Sequence, residues 1–145
     1  MSNVATQDSI YKLQDIIKDM PQVTGETRHH FSDGMYAREL FIPAGTVVVG
    51  ALHKSQHLYM VVKGKCKVSS QYETVEIEAP YIGETIPGTK RVIYAETDCV
   101  WIGFFPTQLT DIDELDAALI EPEEIYMYLI VAATMATAVG TDVSV

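Results

Sequence analysis

The stretch GALHKSQHLYMVVKGK, Gly50 to Lys65, decides how the chain is read. It holds His53 and His57, two of the four histidines, in an apolar, β-branched run that predicts a strand. Residues four apart along an extended chain point to the same face. Two imidazoles on one sheet face suit metal ligation. They suit equally well two stacked residues in a barrel interior or at a subunit interface. The groups that meet them decide between these readings.

Short β-rich runs recur on both sides of this stretch, from Met35 to Phe105: MYARELFI, TVVVGAL, LYMVV, KCKVSS, ETVEIE, RVIYA and CVWIGFF. Turn signals separate them at Pro43-Ala44-Gly45, Lys63-Gly64, Ala79-Pro80 and Pro87-Gly88. Roughly seven to nine short strands at this spacing predict an all-β sandwich or barrel. Ahead of them, Ile10, Leu13, Ile16, Ile17 and Met20 fall at helical spacing over Asp8 to Met20, and Pro21 stops the pattern. A polar connector, Gln22 to Gly34, carries His29 and His30, both expected to be exposed.

After the strands, Thr110 is placed to cap a helix with Asp113 as its capping-box partner, and Ile112, Leu115 and Leu119 share a face. Glu121-Pro122 ends it. The final segment, IYMYLIVAATMATAVGTDVSV from Ile125, has Asp142 as its only charge. Its strongly apolar part is shorter than the roughly 20 residues of a spanning helix and lacks basic flanks, so membrane insertion is not expected. An arm packed on its own domain or on a neighbouring subunit is. The expected organisation is a helix and connector over 1–34, a β-barrel over 35–106, a short helix over 107–121 and an apolar arm over 122–145.

A chain of 145 residues forms one domain with a single core, and 48% hydrophobic with 21% charged residues is ordinary for a globular protein. The net charge of −10 repels phosphate backbones and argues against nucleic-acid partners. Lys63, Lys65 and Lys67 alternate and read as a solvated strand face. Cys66 and Cys99 belong to no CxxC pair and read as small buried hydrophobes. The N-terminus shows no secretory pattern, which places synthesis in the cytoplasm. Trp101, Phe104 and Phe105 read as core or interface aromatics. No serine or cysteine sits in a nucleophile-elbow context.

The spacing from Gly45 to Gly64 resembles the first motif of the cupin superfamily: glycine, five residues, His-x-His, three or four residues, Glu, six residues, glycine. Here the ligand positions read Ala51, His53 and His57. APYIGETIPGTKRVIYA resembles the second motif with one residue missing between Pro87 and Gly88, and its ligand histidine falls on Arg91. The resemblance, over residues 35–105, implies an all-β cupin-type jelly roll, or double-stranded β-helix. It implies a Zn, Fe or Mn site only if His53 and His57 gain a third ligand, for which Glu84 and Tyr59 are the candidates. The guanidinium of Arg91 would oppose a divalent cation. No cofactor is therefore expected, and His53, His57, Arg91 and Glu84 form a candidate pocket for a carboxylate or phosphate. YIGETIPGTKRVIYAETDC also resembles the phosphate cassette of cyclic-nucleotide-binding domains at Gly83-Glu84 and Arg91, although Pro87-Gly88 leaves no room for its short helix. Lys90 and Arg91 have an outward alternative, reaching acidic patches on a partner.

The longer run around Ile42–Thr46, His53, His57, Pro87–Arg91, Trp101 and Thr110–Leu115 is similar to small cupin-like proteins encoded by tailed bacteriophages. That resemblance implies a non-enzymatic jelly-roll protein of a virion, at the capsid surface, head–tail junction or tail. Such a protein would form homo-oligomers and dock to other virion proteins after synthesis in the host cytoplasm. The alternative is a metal-dependent enzyme or small-anion-binding module that uses His53 and His57.

Overall fold

In a computed structural model that describes residues 6–23, 25–121 and 128–131, ten strands form two five-stranded antiparallel sheets. The elements are α1 (Gln7–Ile17), β1 (Glu26–Ser32), β2 (Met35–Ile42), β3 (Thr46–Val49), β4 (His57–Lys63), β5 (Lys65–Ser70), β6 (Thr74–Glu78), β7 (Tyr81–Thr85), β8 (Arg91–Ala95), β9 (Cys99–Pro106), α2 (Ile112–Leu119) and β10 (Tyr128–Val131). Sheet A runs β1-β2-β9-β4-β7 and sheet B runs β10-β3-β8-β5-β6. The fold is the expected all-β jelly roll with short helices.

Strand alternation builds the interior. Tyr59 and Val61 of β4, Cys66 and Val68 of β5, Ile93 and Ala95 of β8 and Cys99 of β9 meet in one buried cluster that fills one half of the sandwich. Both cysteines are free and buried there, as small hydrophobes. The opposite face of sheet B is apolar as well, with Val47 and Val49 of β3 and Val92 of β8 directed outward. The amphipathic face of α1, Ile10 and Ile17, covers them. α2 closes the second end of the interior, where Leu115 and Leu119 pack with Tyr36, Ala51 and Phe105.

Several expectations are corrected. The Gln22–Gly34 connector contains β1, paired along its whole length with β2. It escapes a pattern reading because every residue from Glu26 to Ser32 is exposed, so it has no apolar alternation. Gly50 to Lys65 is not one strand: β3 ends at Val49, β4 starts at His57, and His53 lies in the loop, held by an isolated bridge to Ile120. The cap of α2 is Asp111, which accepts from the Glu114 amide at 3.0 Å, one residue after the expected Thr110. Of the apolar arm over 122–145, Tyr128–Val131 forms β10 at the edge of sheet B beside β3, and the rest lies outside the described residues. Among the described residues no helix is long and apolar enough to cross a membrane.

Gly64 turns β4 into β5 at φ +92, and a Cβ there would collide with the Asp98 carbonyl and the Cys99 sulfur. Gly45 has a similar φ of +79 with open space around it. Gly64→Ala is therefore expected to lower the unfolding free energy by at least about 3 kcal/mol. Gly45→Ala is expected to cost about 1 kcal/mol from backbone strain alone. Urea titration of the two variants checks the ordering.

Candidate functional site

Between the packed half of the sandwich and α2 the interior stays open, as a cavity of about 420 Å³. β2, β3, β8 and β9 form its walls through the inward residues Leu40, Val48, Ile93, Trp101 and Phe105, and most of the lining is apolar. His53, His57 and Arg91 bring polar groups to it, as do Thr27, His29 and the paired Arg38 and Asp116. Three of the four pocket residues expected from the sequence therefore meet. The fourth, Glu84, does not: it is exposed on β7, while its neighbour Thr85 points inward and is buried.

Arg91 crosses the interior from sheet B to sheet A. Its Nη2 donates to Thr85 Oγ1 at 2.7 Å, and its guanidinium lies 4.7 Å from the Tyr59 ring centroid and 5.6 Å from that of Trp101. Tyr59 and Trp101 are themselves stacked at 4.2 Å, which presents one aromatic wall to the charge. Arg91 is buried, and its pKa is pushed down chiefly by desolvation, yet a guanidinium stays protonated. Among the described residues it forms no salt bridge. The outward alternative for Lys90 and Arg91 is overturned, since Lys90 is fully buried and donates to Gln14 Oε1 at 2.6 Å under α1.

The histidine rings of His53 and His57 are 4.9 Å apart, and His57 packs 4.2 Å from Phe105. Nδ1 of His57 lies 3.1 Å from the Ser55 carbonyl, which can only accept, so that nitrogen carries the proton and Nε2 is left with a free lone pair. Burial holds the pKa of His57 down at about 4, with Arg91 adding to the effect against the Ser55 hydrogen bond. Burial lowers His53 further, to about 3, and the charges of His57, Arg91, Arg38 and Lys90 act the same way. Both imidazoles are neutral at pH 7. Part of the His53 ring faces the cavity, while its Nδ1 is fully shielded and has no hydrogen-bond partner among the described residues.

The rim holds a network that the sequence reading did not assemble. Asp116 of α2 accepts from Arg38 at 2.6 Å, Arg38 Nε donates to the Tyr36 hydroxyl at 2.7 Å, and that hydroxyl lies 2.6 Å from His29 Nδ1. The hydroxyl proton is free to go only to His29, so Nδ1 there is the acceptor. This network ties α2 to β2 and β1 at the cavity mouth. In MYARELFI, period-2 alternation places Tyr36, Arg38, Leu40 and Ile42 on one face. A charge on that apolar face was the available signal for Arg38.

The donor set does not fit a resident divalent metal. Ala51, His53, His57 and Arg91 all line the cavity, so the positions that the cupin resemblance assigns to ligands do converge, but they supply two imidazoles and one fixed positive charge. No group of three His, Cys, Asp or Glu able to hold a metal exists among the described residues. Such sites for Zn draw three or more protein ligands. Neither candidate third ligand helps: Glu84 faces out, and burial pushes the Tyr59 phenol up to about 12.

No family model and no curated protein sequence matches the chain. Solved structures do. Ectoine synthase from P. lautus is similar with a TM-score of 0.57 and 17% identity, over 81% of this chain and 86% of that one. A salicylate 1,2-dioxygenase variant from Pseudoaminobacter salicylatoxidans gives 0.54 and 14% over 89% of this chain, which spans 41% of the dioxygenase. A cupin superfamily protein from Desulfitobacterium hafniense gives 0.50 and 8%, over 61% and 82%. The likeness is one of fold: a cupin-type barrel. None of the three is named as a phage protein or a particle component.

Two outcomes follow from the site. Ala51→His with Arg91→His places four imidazoles around the cavity, and the double variant is expected to take up about one equivalent of Zn²⁺ where the parent stays well below that, as read by equilibrium dialysis with elemental analysis. The second concerns pH. With folded pKa values near 3 and 4 against 6.5 unfolded, the folded chain binds fewer protons, so stability is lost as pH falls from 6.5 toward 4. His53→Gln/His57→Gln is expected to flatten that part of the slope in urea titrations across the window.

Proposed function

We propose that the barrel binds a small organic carboxylate, with Arg91 as its anchor and the apolar cavity as the seat for its body. The observation that carries this reading is a buried guanidinium with no carboxylate partner among the described residues, at the edge of a cavity of about 420 Å³. That volume is in the range of small-molecule sites, about 300–1,000 Å³. A planar carboxylate matches the guanidinium fork, and charge-assisted bonds are stronger than neutral ones. The neutral imidazoles add directional polarity without adding charge. His57 Nε2 offers an acceptor to a hydroxyl or amide N–H of the ligand, and Leu40, Val48, Ile93 and Phe105 surround a hydrophobic or ring-shaped body.

The substrate named for one structural neighbour, the salicylate 1,2-dioxygenase, supports the ligand class by analogy. Salicylate is an aromatic carboxylate, which makes it and benzoate suitable probes. No metal-dependent step is proposed, because the donor set does not fit one. A second proposal, docking in a phage particle, is supported by the sequence resemblance around Ile42–Thr46, Pro87–Arg91 and Thr110–Leu115. Mass spectrometry of purified particles tests it.

Titration calorimetry is expected to show benzoate or salicylate binding to the full chain, with benzamide and benzylamine at least about 100-fold weaker. Arg91→Met is expected to abolish the binding while leaving the ligand-free protein equally or more stable, since it removes a buried charge without a counter-ion. Equal affinity for carboxylate and amide, or retained binding in Arg91→Met, would overturn the reading.

A further inference from the structure

The two sheets treat their outer faces differently. Sheet B hides Val47, Val49 and Val92 under α1. The outer face of sheet A is apolar over its middle strands, and none of the described elements lies over it. Of eight exposed large hydrophobic side chains, four point out from this face: Met35, Leu58, Val62 and Ile82, the last 62% exposed. Ile102 and Phe104, half-buried on the central strand β9, join them into one surface.

Strand register lays this surface out in rows. One row reads His30, Ala37, Phe104, Leu58, Glu84 from β1 across to β7, and the next reads Arg28, Glu39, Ile102, Met60, Ile82. Within these two rows the charged groups stand on β1, β2 and β7, while the middle strands β9 and β4 carry only apolar side chains. β1 brings Arg28 and His30 to one margin, and β7 brings Glu84 to the other.

We propose that this face is where two copies of the chain pack, sheet against sheet, about a two-fold axis that runs along β9. Such an axis keeps each row level and reverses its order. Phe104 then meets Phe104, Ile102 meets Ile102, the small Ala37 lies opposite Leu58, and Glu84 comes opposite His30 of the other copy, one row from Arg28. Within their own chain Arg28 pairs with the exposed Glu26 and His30 with Glu39. Exposed ion pairs are weak, so Arg28 and His30 can share their charge with Glu84 of a second copy, and the match of small Ala37 to large Leu58 favours that occupant. In a chain of net charge −10, the uncharged middle of this face is also where two copies repel each other least. Five strands at about 4.8 Å spacing and about 20 Å length give a projected face on the order of 400–500 Å². Side-chain relief brings this toward the roughly 600–1,000 Å² per partner that specific dimers bury.

Sedimentation equilibrium of the full chain from about 1 to 100 µM tests the proposal. A dimer is expected, weakened at least about 100-fold in Leu58→Glu/Ile82→Glu, with circular dichroism unchanged because both side chains are exposed. Glu84→Arg is expected to weaken it, and Arg28→Glu added to Glu84→Arg to restore much of the loss. Ile102→Cys, on the axis, is expected to give a disulfide-linked dimer on mild oxidation, and Lys67→Cys, on sheet B, is not. A parent that stays monomeric to 100 µM, or a dimer indifferent to Leu58→Glu/Ile82→Glu, would overturn it. So would a monomer that dimerises only after removal of residues 132–145, since the chain's own terminus would then be the occupant.

Discussion

A guanidinium buried inside a β-sandwich has to be held without water, and the way Arg91 is held organises the candidate site. One donor goes to Thr85, and the charge faces the stacked rings of Tyr59 and Trp101. These contacts draw on β4, β7 and β9 of sheet A for a residue that belongs to β8 of sheet B. The two layers are therefore joined by a polar clamp at the level where the hydrophobic cluster ends. Gly83 is part of the arrangement, because a Cβ there would fall on the Tyr59 ring. The charge that joins the sheets adds to burial in lowering the pKa values of both cavity histidines, and it opposes a divalent cation between them.

Surface coverage follows from the same two-layer constraint. Each sheet has an inner and an outer face, and an apolar outer face needs something over it. α1 serves sheet B, and its position follows from the helical spacing of Ile10 and Ile17. α2 is spent on the open end of the sandwich, where Asp116 reaches Arg38 and Leu115 plugs the interior. Neither helix is left for sheet A.

The cupin-like barrel was legible because its strands carry period-2 patterns separated by turn residues, and because the Gly45–Gly64 spacing survives the loss of the ligand types. The convergence of His53, His57 and Arg91 was legible for the same reason. What failed was local phase. Thr85 points inward and its neighbour Glu84 outward, so counting along a motif without fixing the strand's phase put the wrong residue in the pocket. β1 was hidden by its uniformly exposed polar residues, since an edge strand is defined by its pairing with β2 and not by alternation. The rim network could not be read from spacing, because 78 residues separate Arg38 from Asp116.

The buried side-chain atoms left unsatisfied among the described residues belong to the loop that carries His53 to the cavity. Nδ1 of His53 and the hydroxyl of Ser55 are the buried side-chain atoms without a hydrogen-bond partner among the described residues, and they lie in one short loop between β3 and β4. An unmet buried donor or acceptor costs on the order of 1–3 kcal/mol. Elsewhere the fold meets such demands readily: Asp111 caps α2, Ser70 serves two amides of the β5–β6 turn, and Tyr36 links two polar side chains. Unpaired polarity beside an unneutralised guanidinium is hard to account for as packing. A ligand that supplies a counter-charge would relieve the Arg91 term, whereas the shielded Nδ1 of His53 lies out of its reach. On that argument the buried charge without a counter-ion among the described residues marks the candidate binding site.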